Sequence, residues 1–413
     1  MNIDWQDGHW RKDAATSVDA RIMVTGDWAP VWQYESIVLS DPPAVYGNLL
    51  AELRRSDLTI TNLECALGEV GSPIFKAGPN IRAKAGGLAG LTAVPFHVAA
   101  MANNHVFDYG LEGLLETQRL VHGAGIKTFG AGTSEREAWT PLVVKVGAAR
   151  VGMFGFAEGE DSTAASGDRP GVAGWNVERA IRTIKELRSQ VDVLLVVCHA
   201  GREHPPLPPP WLVAAYRRVA EAGADALIAH HPHVPQGFEI HQGVPIVYST
   251  GNFVFHNGPN SFYRKSGYMV ELELAGRRLA GLRLHPYLLG PQGLRLLEGD
   301  ERRFFLGRLR YVSELLADPA AIRAAWEAFI DFTQSGGEFS MTEFLGLILE
   351  GWKENRPLWA ARLRNLLVAP SSRELWTDAT TRIITERMGT APEWARELVK
   401  EWTSLSIEDA LRC

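Results

Sequence analysis

Short apolar runs recur up to residue 298, and most of them break into a polar group at the carboxyl end. Residues 21–25 (RIMVT) run into Gly26-Asp27, residues 57–62 (DLTITN) into Leu63-Glu64, and residues 95–101 into Ala102-Asn103-Asn104-His105. Residues 191–198 end at His199, and residues 226–229 end at His230-His231-Pro232-His233. Apolar runs of this length, bounded by turn signals, predict buried strands. Residues 42–55, 111–122, 177–189 and 211–222 read as helices, the second closed by Gly123 and Gly125 and the last broken by Gly223. A short strand is expected at 126–129, and residues 142–146 with 150–156, and 268–274 with 278–285, read as hairpins. Residues 68–90, rich in Gly, Pro, Lys and Ala, predict a long loop with one helical turn near 86–91, and 158–174 a mobile flap.

From residue 299 the pattern becomes helical throughout: 301–316, 320–334, 342–355, 358–367, 372–388, 392–402 and 407–413. Six of the 13 tryptophans lie here, Trp326, Trp352, Trp359, Trp376, Trp394 and Trp402. The expected organisation is a loose arm over 1–19, an α/β domain over 20–298 and a helical region over 299–413.

With 413 residues, 46% of them hydrophobic and 22% charged, the chain has ample core for a large domain and a smaller one. A formal net charge of −6 leaves no basic footprint, which argues against a nucleic-acid partner. Cys65, Cys198 and Cys413 form no CxxC pair, as in a reducing cytosol without structural zinc. Residues 1–20 lack the apolar centre of a signal peptide, and no run approaches a membrane span. A cytoplasmic protein without a membrane partner is therefore expected.

The chemistry lies at the strand ends, where open α/β folds keep their sites. Asp27, Glu64, Asn104-His105, His199, His231 and His233 form a mixed carboxylate, amide and imidazole set. Such donors suit manganese, iron, zinc or calcium rather than a thiolate site. Glu64, the one acid ending its strand, is the natural bridge between two divalent metals roughly 3.5–4 Å apart. His231 and His233 alternate about a proline, so in an extended segment they point opposite ways unless the turn redirects one. Lys76, Arg82 and Lys84, in the loop after Glu64, would meet an anionic substrate group or simply be solvated. Arg202 and Glu203 read as substrate contacts or as a solvated ion pair. Asn252 is expected beside the substrate, orienting the ligands by hydrogen bonds.

The segments VTGDWAP, TNLECAL, MANNHVFDYG, CHAGREHP, GADALIAHHPHVPQ and VYSTGNFVF, in that order over residues 21–255, resemble the CapA family. These are poly-γ-glutamate capsule-synthesis-like proteins of the calcineurin-like metallophosphoesterase superfamily. The resemblance implies a four-layer α/β/β/α sandwich around a two-metal site, here with an α-helical C-terminal region added. It implies that Asp27 and His233 serve one metal, that Asn104, His199 and His231 serve the other, and that Glu64 bridges. His105 would be the free histidine that moves a proton and Asp108 its orienting partner; read from the residues alone, Asp108 could equally cap the helix before Leu111. The chain departs from the superfamily's Asp-x-His opening, since Trp28 and Ala29 follow Asp27. One nitrogen ligand is missing, which implies weak occupancy or a single metal, so that one or two divalent ions are expected, and argues against ordinary phosphoesterase activity.

Three functions fit these residues: a phosphoester hydrolase, a metal-assisted enzyme acting on a peptide by hydrolysis or α-carbon inversion, and a binding protein with a structural metal. Members without an anchor and with a helical extension resemble the lasso-peptide precursor epimerases, which invert a C-terminal tryptophan. The expected function is accordingly a metal-dependent peptide epimerase with a precursor peptide as partner.

Overall fold

Alternation along the strand Ala20–Trp28 sets the layers. Ile22 and Val24 enter one apolar core, and Met23 between them enters another. The first core is shared by two sheets; the second lies between the first sheet and a layer of helices. The computed structural model describes residues 3–12, 17–158, 163–256, 258–335 and 340–412.

Among the described residues the first sheet has nine strands. Its parallel part runs Ala20–Trp28, Leu58–Leu63, Val98–Ala100 and Lys127–Phe129. The long hairpin Ser266–Ala275 and Arg278–Gly290 continues it antiparallel on the other side. The second sheet has six strands, with Ala149–Ala157, Val193–His199, Ala226–His230 and Val244–Val247 parallel in that order. Ile60 and Val98 of the first sheet and Leu195 and Ile228 of the second belong to the same core. His230 crosses between the sheets, its Nε2 2.9 Å from the Thr25 carbonyl. The helices Gln33–Ser40, Leu49–Arg54 and Leu88–Ala93 cover the outer face of the first sheet through Tyr34, Val38, Leu53 and Leu91. Val177–Arg188 and Pro210–Glu221 cover the second through Ile184, Leu212 and Tyr216. This is the expected α/β/β/α sandwich. Parallel strands deliver their carboxyl ends to a common edge, which is why the polar groups after them can converge.

Several elements differ from expectation. Within the stretch expected as a loose arm, Ile3–Asp4 and His9–Arg11 extend the first sheet, the latter pairing with Arg278–Gly290; residues 1–2 and 13–16 lie outside the described residues. The helix expected over 42–55 is a 3₁₀ turn, Pro42–Tyr46, and a separate helix, Leu49–Arg54. Gly47 divides them at φ 49°, and a Cβ there would stand 2.1 Å from the Leu294 carbonyl oxygen. Within the region expected as a flap, Gly171–Val172 pairs with Ala131–Gly132; residues 159–162 lie outside the described residues.

The helical region joins the sandwich rather than hanging from it. Gly299–Leu315 inserts Phe305, Leu306, Leu309 and Val312 into the core the sheets share. Trp402 stacks on Tyr263 at 3.7 Å and donates to the Pro235 carbonyl. Among the described residues no helix is long and apolar enough to cross a membrane.

Candidate metal centre

The sequence brings six strand-end residues together. Asp27 closes its strand buried, its Oδ1 accepting from Asn62 Nδ2 at 2.8 Å and its Oδ2 3.3 Å from His233 Nδ1. Glu64 Oε1 lies 3.3 Å from His199 Nε2 and 3.7 Å from His233 Nε2. His199 Nε2 lies 2.8 Å from Asn104 Oδ1 and 3.1 Å from His231 Nδ1. The backbone redirects both histidines of the His-Pro-His segment, with φ of 101° at His231 and 56° at His233. Such left-handed conformations are costly for a side chain bearing a Cβ and persist where the surroundings enforce them, commonly at functional sites.

The donors divide into two groups sharing one residue, Glu64 with His199 and His231, and Glu64 with Asp27 and His233. Asp27 Oδ2 and both Glu64 oxygens are buried without a hydrogen bond among the described residues. Buried carboxylate oxygens are costly to leave unpaired, and a cation at this place would satisfy all three. The electrostatics agree. Burial pushes the Glu64 carboxyl well above its usual range, and the Asp27 and Glu203 carboxylates push it further. Burial holds the His199 imidazole well below its usual range and pulls His231 down to about 4. Neutral imidazoles are the ligating form, and a bound cation would hold Glu64 ionised. Burial opposes charge on Asp27 and His233 too, but their contact outweighs it, lowering the first and raising the second. The residues present therefore fit divalent metal.

His105 stands beside this group. Its Nδ1 is 2.8 Å from Asp108 Oδ2, and Asp108 is buried. The helix Gly110–Gly123 begins after Tyr109 with no side-chain cap, so Asp108 orients His105 and does not cap that helix. Lys76, expected to meet a substrate anion, meets Asp108 instead: its Nζ is 2.7 Å from Asp108 Oδ1, 2.6 Å from the Asn104 carbonyl oxygen and 3.3 Å from His105 Nδ1, with no exposed surface. Burial lowers the His105 pKa, and the Lys76 charge lowers it further. Breaking a buried ion pair strands one charge. Lys76→Ala is therefore expected to lower unfolding stability by about 3–5 kcal/mol. Lys76→Ala with Asp108→Asn should recover part of that loss in urea titrations.

The remaining expectations separate. Arg82 is away from the metal donors, its guanidinium 3.5 Å from the Tyr109 ring centre and donating to the Val70 carbonyl, and Lys84 pairs with Glu35. Asn252 orients His233, its Oδ1 2.9 Å from Nδ1. Trp28 does not replace the missing nitrogen ligand; its indole donates to Tyr46 Oη in the helix layer. Arg202 and Glu203 line a cavity of about 300 Å³ that also reaches Asn104, His105 and His231.

The far wall of that cavity is the helical region: Phe344, Leu347, Trp359, Arg362, Leu366 and Trp376. Gly351 makes room for one of them, since a Cβ there would stand 1.8 Å from Trp359 Nε1. Glu158 ties the walls together, Oε1 accepting from the Ser371 amide at 2.7 Å and Oε2 from the Gly201 amide at 3.2 Å. Ser371 opens the helix Pro370–Ile384, where a carboxylate is favoured by the helix dipole. Sequence reasoning missed Asn62 and Glu158; the polar end of the strand 57–62 is the signal that pointed to the first.

Comparison with known proteins gives a match of residues 21–257 to the model of a bacterial capsule synthesis protein family, PGA_cap. A probable polyglutamine synthesis accessory protein of Mycobacterium tuberculosis (strain CDC 1551 / Oshkosh) is 30% identical over 302 residues, covering 65% of this chain and 75% of that protein. The capsule biosynthesis protein CapA of Bacillus anthracis is 31% identical over 222 residues, 52% of this chain and 54% of that protein. A phosphatase structure from Mycoplasma pneumoniae aligns with a TM-score of 0.42 at 12% identity, covering 69% of this chain and 97% of that one. The family match takes in every donor from Asp27 to His233 and more than half of the chain, which thus belongs to the bacterial capsule synthesis protein family PGA_cap.

Proposed function

We propose that this protein is a divalent-metal-dependent enzyme acting on the carboxyl end of a peptide. Its reaction is inversion of the α-carbon of a C-terminal aromatic residue, such as the tryptophan of a lasso-peptide precursor. One observation carries this reading. The cavity has metal donors and His105 on one wall and aromatic side chains with Arg362 on the other. Phe344, Trp359 and Trp376 offer apolar surface to a side chain, and Arg202 and Arg362 offer charge to a terminal carboxylate. A divalent cation, when bound, supplies positive charge that favours electron density on the carbonyl or carboxylate oxygen next to the α-carbon. His105, oriented by Asp108, takes or returns the α-proton.

Hydrolysis of a phosphoester or an amide is the second reading, favoured by Glu64 being common to two donor groups. A poly-γ-glutamate chain, which the family resemblance implies, carries a charge on every residue and matches the apolar wall less well. The test is incubation of the metal-loaded protein in D₂O with peptides ending in tryptophan, and separately with phosphoesters. Deuterium at the terminal α-carbon supports inversion. Release of phosphate or of an amine supports hydrolysis and sinks the inversion reading, and binding without turnover sinks both.

Not all six tryptophans should matter alike. Trp326 and Trp402 are buried in cores, while Trp359 and Trp376 face the cavity. Removing an aromatic contact of this size should weaken peptide binding roughly 10- to 100-fold. Trp359→Ala and Trp376→Ala are expected to do so in calorimetric titrations with metal content unchanged. Unaltered peptide affinity in both variants would remove the helical wall from the site.

A further inference from the structure

We propose that Glu203 is a second proton-transfer group, working from the face of the substrate opposite His105; this rests on the inversion reading above. Inversion requires that a proton leave one face of the α-carbon and another arrive on the opposite face, so a single base held on one side is not enough.

The ionisable groups lining the cavity leave few candidates. Glu158 has both oxygens committed to backbone amides and is only 2% exposed. His231 faces His199 within a metal-donor group. Arg202 and Arg362 carry guanidinium groups, which donate hydrogen bonds and offer no acceptor for a proton. Glu203 remains. Its side chain is 35% exposed, with an oxygen 3.8 Å from His204 Nε2, and it lines the cavity that His105 lines. The topology places the two apart. His105 follows Val98–Ala100 of the nine-stranded sheet, and Glu203 follows Val193–His199 of the six-stranded sheet. The sheets face each other across their shared core, so the two groups enter the cavity from opposite layers.

The step balances without a co-reactant. One group takes the α-proton, the C–H bond breaks, and its electron pair moves onto the adjacent carbonyl oxygen. The other group gives a proton to the opposite face, the pair returns to form the new C–H bond, and both groups reset by exchange with water.

The test is deuterium incorporation from D₂O into peptides ending in L-tryptophan or in D-tryptophan. Wild-type enzyme is expected to label both. Glu203→Gln should keep its metal and lose labelling from one epimer by about 100-fold or more. His105→Ala should show the mirror pattern, and Glu203→Asp, which keeps the carboxylate, should restore part of the lost exchange. Labelling of both epimers at wild-type rates by Glu203→Gln would overturn the proposal, and so would loss of metal from that variant, which would make Glu203 a ligand. No labelling by the wild type would overturn the inversion reading along with it, whereas the Glu203→Gln results fail this inference alone.

Discussion

His105→Ala is expected to lower turnover about 10²–10⁴-fold, the usual contribution of a positioned acid or base, while the metal stays bound. The separation follows from the geometry. The two metal-donor groups contain Asp27, Glu64, His199, His231 and His233. His105 Nδ1 instead faces Asp108 Oδ2, leaving the other ring nitrogen for the cavity. The direction of its pKa sets a second observable. Burial and the Lys76 charge lower it from 6.5, so the neutral base is present at neutral pH. Protonation removes the base, so the acid side of the pH–rate profile should fall below pH 6.5. Asp108→Asn should lose part of the same rate, because it frees the ring to turn. Metal analysis of His105→Ala decides the point: a variant that has lost its metal makes His105 a ligand, and near-normal turnover removes it from the reaction.

The donor set is legible in the sequence for a physical reason. Each donor follows a short apolar strand, and parallel strands carry their ends to one edge whatever their exact length. Asp27, Glu64, Asn104 and His199 need only that rule, whereas His231 and His233 also need the left-handed backbone that redirects them. What sequence cannot show is the partner of a residue far along the chain. Lys76 sits in a Gly- and Pro-rich stretch that reads as solvated, yet it is sealed against Asp108, 32 positions away. Glu158 reads as the start of a polar flap, and its partner Ser371 is 213 positions away. The strands Ile3–Asp4 and His9–Arg11 are too short to show a period; the edge of Arg278–Gly290 makes a strand of the second, and the second pairs with the first. The helix Gln33–Ser40 carries no start signal in the sequence, since Trp32 before it offers no capping side chain. The turn over Pro42–Tyr46 ends at Gly47 because of the Leu294 carbonyl, again a distant partner.

Substituting Glu64 should cost more metal than substituting any other donor. Glu64 belongs to both groups, whereas Asp27 and His233 belong to one and His199 and His231 to the other. Glu64→Gln keeps the size of the side chain and removes the charge that would compensate both positions. Asp27→Asn removes a donor from one group only. Metal content after dialysis should therefore fall furthest in Glu64→Gln, with turnover falling below detection. Stability gives a readout that does not depend on activity. Without metal, the wild type holds a buried carboxyl with neither oxygen hydrogen-bonded, so Glu64→Gln should unfold at a similar urea concentration. The strand cores supply most of the buried apolar surface, so chelation should leave both folded. A cation that binds the folded state alone stabilises it by about 2.7 kcal/mol at one hundred times its Kd. Adding metal is thus expected to raise the wild-type unfolding midpoint and to leave that of Glu64→Gln almost unchanged. Equal stabilisation of the two proteins would place the cation elsewhere, and unfolding of the chelated wild type would make the metal structural.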